Sequence, residues 1–108
     1  MYNFKFHPEA QKELQKLNKS IQILFTKKLK QIINNPEIGK QLGNKNNLKL
    51  AGLRKAYFNN KKYRIVYEIV EQEVLIYIIA VGKRDEMDVY KRADGRVNWI
   101  WKGNKFFI

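Results

Sequence analysis

Apolar residues recur along this chain with two different periods, and the changes of period divide it into elements. Tyr2, Phe4 and Phe6 alternate with Asn3 and Lys5, the period of two expected of a half-buried strand. His7-Pro8-Glu9 follows as a helix entry, because proline suits the first helical position and an acidic residue suits the first turn. Ala10, Leu14 and Leu17 then fall on one face of a short helix. Ser20 is a candidate N-cap for a second helix, in which Ile21, Leu24, Phe25, Leu29, Ile32 and Ile33 recur at helical spacing while the lysines face away. Pro36 ends it by disfavouring helical geometry in Asn35. The two helices are expected to form an antiparallel hairpin.

Residues 36–47, rich in Asn, Lys and Gly, show no period and read as an internal loop. From Leu48 to Phe58 the alternation places Leu48, Leu50, Ala56 and Phe58 on one face and Lys49, Lys55 and Tyr57 on the other. Asn59-Asn60-Lys61-Lys62 supplies the turn into Tyr63–Ile69, and Glu71-Gln72-Glu73 the turn into Val74–Val81. Three strands joined by short turns predict an antiparallel meander. Asp85 to Val97 is helix-compatible, with Gly95 weakening its end. The order predicts an α+β fold: a small antiparallel sheet, strand-helix-helix-strand-strand-strand and then a helix or tail, with the helical hairpin on one face. The opposite face is left for function.

A chain of 108 residues, 44% apolar and 13% aromatic, can build one core, so residues 1–108 are read as a single domain. Lys and Arg number 22 against 10 acidic residues, a formal charge of +12 that makes polyanions the natural partners. A lysine-rich composition shaped by an AT-biased genome would also contribute to that excess. With no Cys there is no disulfide, no thiolate nucleophile and no Cys-based zinc site. The N-terminus has no apolar signal region, and no apolar run approaches the roughly 18 residues of a membrane span. A cytoplasmic protein without membrane contact is expected.

Strand parity puts Lys55, Tyr57 and Arg64 on one face, and Arg84 and Tyr90 follow the last strand closely enough to return over the sheet. Cations beside an aromatic wall suit RNA, since Lys and Arg track phosphates while a ring stacks on an unstacked base. Arg54, Tyr57, Lys62, Lys83 and Lys91 border this groove as candidate RNA contacts. Cleavage by the ribose 2′-hydroxyl needs a base for its proton and cations for the charge on the phosphorane. The single histidine, His7, reads as a helix-capping residue. A lysine crowded by cations can lose its proton near neutrality, which makes Lys55 the candidate base. Arg64 and Arg84 suit charge stabilisation, and Tyr90 suits stacking or orientation of the substrate. Nothing has the pattern of a metal cluster, a nucleotide loop or a Ser/His/Asp triad, so no metal and no cofactor are expected.

The run "YRIVYEI", a short turn, an apolar strand and then "VGKRDEMDVY" resembles the RelE/ParE superfamily of bacterial and archaeal toxins, in particular the branch that cleaves mRNA on the ribosome. The resemblance extends from about residue 2 to residue 97. It implies functional roles for the Arg of "YR", the Arg of "GKR" and the Tyr of "VY", here Arg64, Arg84 and Tyr90. It also implies two basic residues, two apart, on the preceding strand; Lys55 matches the first, but the second falls on Tyr57. It further implies binding to the ribosome and mRNA, and a small acidic antitoxin that wraps the basic domain and blocks its groove. Residues 97–108 are an extension that reads as a small terminal hairpin packing on an edge of the core, and Trp99 to Ile108 has no counterpart in the pattern.

Other readings stay open on residues alone. Arg64 can pair with Glu68 along its strand, Lys83-Arg84 beside Asp85-Glu86 can be a solvated ion cluster, and Lys27, Lys28 and Lys30 read as the solvated face of a helix. Tyr63, Tyr67 and Tyr77 read as packing residues. A non-enzymatic inhibitor of DNA gyrase with the same fold, and a basic RNA-binding module without catalysis, are the two competing functions.

Overall fold

The computed structural model describes residues 2–43, 52–83 and 88–99. Strand β1 (Asn3–Phe6) leads into helices α1 (Pro8–Gln15) and α2 (Lys19–Asn34), then a 3-10 turn at Pro36–Ile38 and the short strand β2 (Lys40–Gln41). Strands β3 (Leu53–Phe58), β4 (Tyr63–Val70) and β5 (Leu75–Lys83) form the antiparallel meander, and α3 (Asp88–Trp99) follows. One sheet results, in the order β1-β5-β4-β3-β2.

The helical hairpin covers one face of it. Phe25, Leu29 and Ile32 of α2 and Ala10 of α1 are buried against Ala56 and Phe58 of β3, Ile65 and Tyr67 of β4, and Ile76 and Ile78 of β5. The hydroxyl of Tyr67, buried with its ring, donates to the Pro36 carbonyl at 2.6 Å and accepts from the Gly39 N–H at 3.0 Å. A Cβ on Gly39 would lie 2.2 Å from that oxygen, so only glycine fits beside it. Tyr63 stacks on Phe58, and Tyr67 and Tyr77 are buried, so all three tyrosines pack as expected.

Several expectations need correction. The sheet is mixed, because β1 pairs in parallel with β5 through Asn3↔Leu75 to Phe6↔Ile78, while the meander itself is antiparallel as expected. The hairpin carries the chain across the face from β1 to β2, at opposite edges of the sheet, a non-local arrangement that no local pattern encodes. As an edge strand β1 is more exposed than its alternation suggests: Phe4 is 46% exposed, while Tyr2 and Phe6 are partly buried against the core, Phe6 stacked on Phe25. The N-cap of α2 is Asn18, whose Oδ1 accepts from the Ile21 N–H, and Ser20 donates to that same oxygen. The stretch expected as loop contains β2, which pairs Lys40↔Lys55 and Gln41↔Arg54. Residues 44–51, the end of the expected loop and the first four residues of the strand expected from Leu48, lie outside the described residues.

The second face is not left wholly to function. Leu42, Leu53, Val66, Val70, Leu75, Tyr77, Ile79 and Ala80 make a second core with Ala93 of α3. A register shift between Val66 and Tyr67, opposite Ala80 and Ile78, inserts Ile79 as a bulge, which lets Ile79 and Ala80 both join this face. α3 continues through Gly95 to Trp99, so Val97, Asn98 and Trp99 are helical instead of opening a hairpin. Residues 100–108, where the rest of that hairpin was expected, lie outside the described residues.

Candidate active site

Strand register decides which cations meet. Tyr57 of β3 stands opposite Arg64 of β4, and Lys55 stands opposite Val66. Lys55, Tyr57 and Arg64 therefore share the face turned away from the helical hairpin, as parity predicts. The Lys55 ammonium donates to the Tyr57 hydroxyl at 3.0 Å and lies 5.1 Å from the ring centroid. The Arg64 guanidinium carbon lies 5.8 Å from the same centroid. Both distances are within cation–π range, so one ring orients two cations. Arg64 is 6% exposed, and its cross-strand neighbour on β5 is Gly82, which presents no side chain to crowd it.

The remaining candidates lie elsewhere or border this cluster. Arg54 points to the other face of β3 and donates to the Gly39 carbonyl at 2.7 Å and the Glu37 carbonyl at 3.4 Å. It fastens the 3-10 turn and β2 to the sheet. Lys62 is exposed in the β3–β4 turn, Lys83 is exposed at the end of β5, and Lys91 is exposed on α3. Tyr90 is the third residue of α3. Arg84 lies outside the described residues. His7 caps α1, its Nδ1 accepting the Glu9 N–H at 3.1 Å.

The sequence reading missed a brace that fixes where the β5–α3 segment starts. β1 pairs with β5 only as far as Ile78, which would leave the edge groups beyond it unsatisfied. Glu13 of α1 accepts the Val81 N–H at 3.1 Å, and Arg96 of α3 donates to the Ile79 carbonyl at 2.7 Å. Arg96 also bonds both oxygens of Glu13, at 3.0 and 2.8 Å, and Arg92 pairs with it at 2.6 Å. Burial pushes the Glu13 carboxyl up, but the Arg96 and Val81 hydrogen bonds and both guanidinium charges outweigh it and hold the pKa below the ordinary range. A lone glutamate among polar helix residues carries no sequence signal for this role.

Among the described residues there is no group of three or more His, Asp or Glu side chains able to hold a metal, and no helix long and apolar enough to cross a membrane.

A profile of the ParE toxin of type II toxin–antitoxin systems matches residues 4–88. A putative RelE-like toxin protein of Escherichia coli is 38% identical over 99 residues, covering 89% of this chain and 97% of that protein. The mRNA interferase toxin RelE of E. coli K12 is 30% identical over the same coverage. Among solved structures, a double arginine-to-alanine variant of E. coli toxin RelE in the free state superposes with a TM-score of 0.73 at 28% identity, covering 89% of this chain and 97% of that one. The toxin of the intact E. coli RelBE toxin–antitoxin complex superposes at 0.67 with 27% identity, covering 80% of this chain and 100% of that one.

Proposed function

The chain belongs to the ParE toxin family of type II toxin–antitoxin systems, and from that membership we propose that it is a toxin that cleaves mRNA on the ribosome without a metal. The observation that carries this reading is the convergence of Lys55 and Arg64 on Tyr57, on two strands that lead in sequence to the "GKR" and "VY" segments. The relative named mRNA interferase supports the same reaction class.

In this reading the 2′-oxygen of a ribose attacks the adjacent phosphorus and the bond from phosphorus to the 5′-oxygen breaks. A 2′,3′-cyclic phosphate and a free 5′-hydroxyl result. Lys55 accepts the 2′ proton, a role that requires a neutral amine. Arg64 and Arg84 hold the nonbridging oxygens, whose charge rises in the phosphorane. Tyr90 stacks on or orients a base, and the leaving 5′-oxygen takes its proton from water. Lys62, Lys83 and Lys91 add contacts to rRNA or mRNA phosphates, while Arg54, turned to the other face and bonded to the Gly39 and Glu37 carbonyls, serves the fold instead. The solved toxin–antitoxin complex supports an acidic cognate antitoxin as partner, which covers the basic domain in a bacterial cytoplasm.

Primer extension on an mRNA carried by stalled ribosomes tests this. Wild type is expected to cut within A-site codons, and Arg84→Ala and Tyr90→Ala to abolish those cuts while remaining folded. Absence of cuts by folded wild type on active ribosomes would sink the endonuclease reading. Tyr57 at a position where the RNA-cleaving pattern has a basic residue would then favour gyrase inhibition, read out as loss of DNA supercoiling activity.

A further inference from the structure

The β3 edge opens onto a second cationic surface. Among the described residues β2 pairs with Arg54 and Lys55 and none pairs with Ala56 to Phe58 on that edge of β3. Between this edge and α2 lies a cleft of 770 Å³. Lys27 and Lys28 of α2 form one wall, and Lys40 and Lys61 come from β2 and the β3–β4 turn. Among the described residues lining it there is no carboxylate. Asn59, Asn60 and Lys61 all have positive φ, between 54° and 65°, a turn that holds Lys61 on the cleft. Lys55 and Tyr57 line the cleft along the β3 edge, and their side chains reach the face that carries Arg64, so the cleft and the active site adjoin along β3.

We propose that this cleft is the track for the RNA strand that flanks the scissile phosphate. The proposal rests on the reading of RNA as substrate. A strand gripped at Lys55 and Arg64 carries a phosphate on every neighbouring nucleotide, and those charges must run over some part of the protein. The cleft opens at Lys55 itself and sets lysines on both of its walls. Lysine is a mobile point charge, suited to following a backbone without reading sequence. The paired amide side chains of Asn59 and Asn60 add donors and acceptors at the far end. An acidic peptide is the alternative occupant, and the test separates the two.

The probe is a short fluorescein-labelled RNA with 2′-O-methyl riboses, which binds but cannot be cut, titrated by anisotropy at several salt concentrations. The groove variant combines Lys27→Gln, Lys28→Gln and Lys61→Gln. A control of equal charge combines Lys5→Gln, Lys16→Gln and Lys19→Gln, all exposed and away from the cleft. Each single-strand phosphate contact contributes a salt slope of about 0.7, or about fivefold in affinity at roughly 0.1 M salt. Loss of three contacts should lower the slope by about 2 and the affinity about a hundredfold, with the control changing it by a few-fold and a Lys→Arg groove triple retaining it. On ribosomes the groove variant should need more substrate for half-saturation and keep its rate at saturation. Equal loss in groove and control variants would overturn the proposal, since net charge alone would explain binding. So would unchanged RNA binding with lost antitoxin binding, which would assign the cleft to an acidic peptide. Groove-dependent binding without any cleavage would leave the track standing and remove only the endonuclease reading.

Discussion

Cations gather at two places on this sheet and meet different partners there. At the free edge of β5, Arg92 and Arg96 close on the Glu13 carboxylate, which also takes the Val81 N–H. On β3 and β4, Lys55 and Arg64 flank the ring of Tyr57. A carboxylate cancels charge and, when buried and fully bonded, fixes elements in place. A ring orients cations, at about 0.5–2 kcal/mol each, without supplying a formal negative charge. The first cluster ties α1 and α3 to β5, whereas the second, in the function proposed above, meets a phosphate.

The largest expected effect separates them through activity. Arg64→Ala should lower single-turnover cleavage on ribosomes by about a hundredfold or more, the usual consequence of losing one stabilising donor. Its cost in urea denaturation should stay within about 2 kcal/mol, the loss of one buried side chain that leaves the Tyr57 ring and the strand pairing in place. If activity fell only in proportion to the folded fraction, the assignment of this cluster to function would fail.

Glu13→Ala should behave in the opposite way. It strands two guanidinium groups and the Val81 N–H, a loss of about 3 kcal/mol in stability. Cleavage per folded molecule should be nearly unchanged at low temperature, where the variant remains folded. A large drop in rate without a change in the denaturation midpoint would mean that the brace is part of the chemistry.

The contrast between the two clusters also measures what the chain's pattern encodes. Parity placed Lys55 and Arg64 on a shared face, because alternation in β3 and β4 is strong and the turn between them is short. It did not encode that Tyr57 stands directly opposite Arg64, which depends on a turn whose three residues adopt positive φ. The Glu13 brace was invisible for another reason: it exists because β1 stops at Ile78, and the pairing of β1 with β5 links segments about seventy residues apart. β2 escaped notice because two polar residues cannot display a period. Asn18 and Ser20 are both good caps two residues apart, and the hydrogen bond to Ile21 decides between them.

Acid titration sharpens the structural half of the comparison. Burial, and then the Arg96 charge, push the His7 pKa below its ordinary 6.5. The unfolded chain therefore takes up that proton first, so stability held by neutral His7 is whole above about 6.5 and is lost as pH falls toward the folded value. Glu13 is depressed from its ordinary 4.5, so its contribution is whole above that pH and is lost as pH falls through its lower folded value. Urea midpoints followed across pH should show two successive losses. His7→Gln should remove the first and Glu13→Gln the second, while Lys55→Gln removes neither. A single loss, or one unaffected by either substitution, would show that other groups set the acid stability.

The smallest effect bears on the ring itself. Tyr57→Phe removes the hydroxyl that accepts from Lys55 at 3.0 Å and keeps the face on which Lys55 and Arg64 lie. If the ring is what orients the two cations, cleavage should fall by less than about tenfold, the worth of one ordinary hydrogen bond of about 1 kcal/mol. Tyr57→Ala should fall further, since both cations then lose their common support. Equal losses in the two variants would mean that the hydroxyl, not the π face, positions Lys55. The ring cluster, like the Glu13 brace, would then be held together by hydrogen bonds.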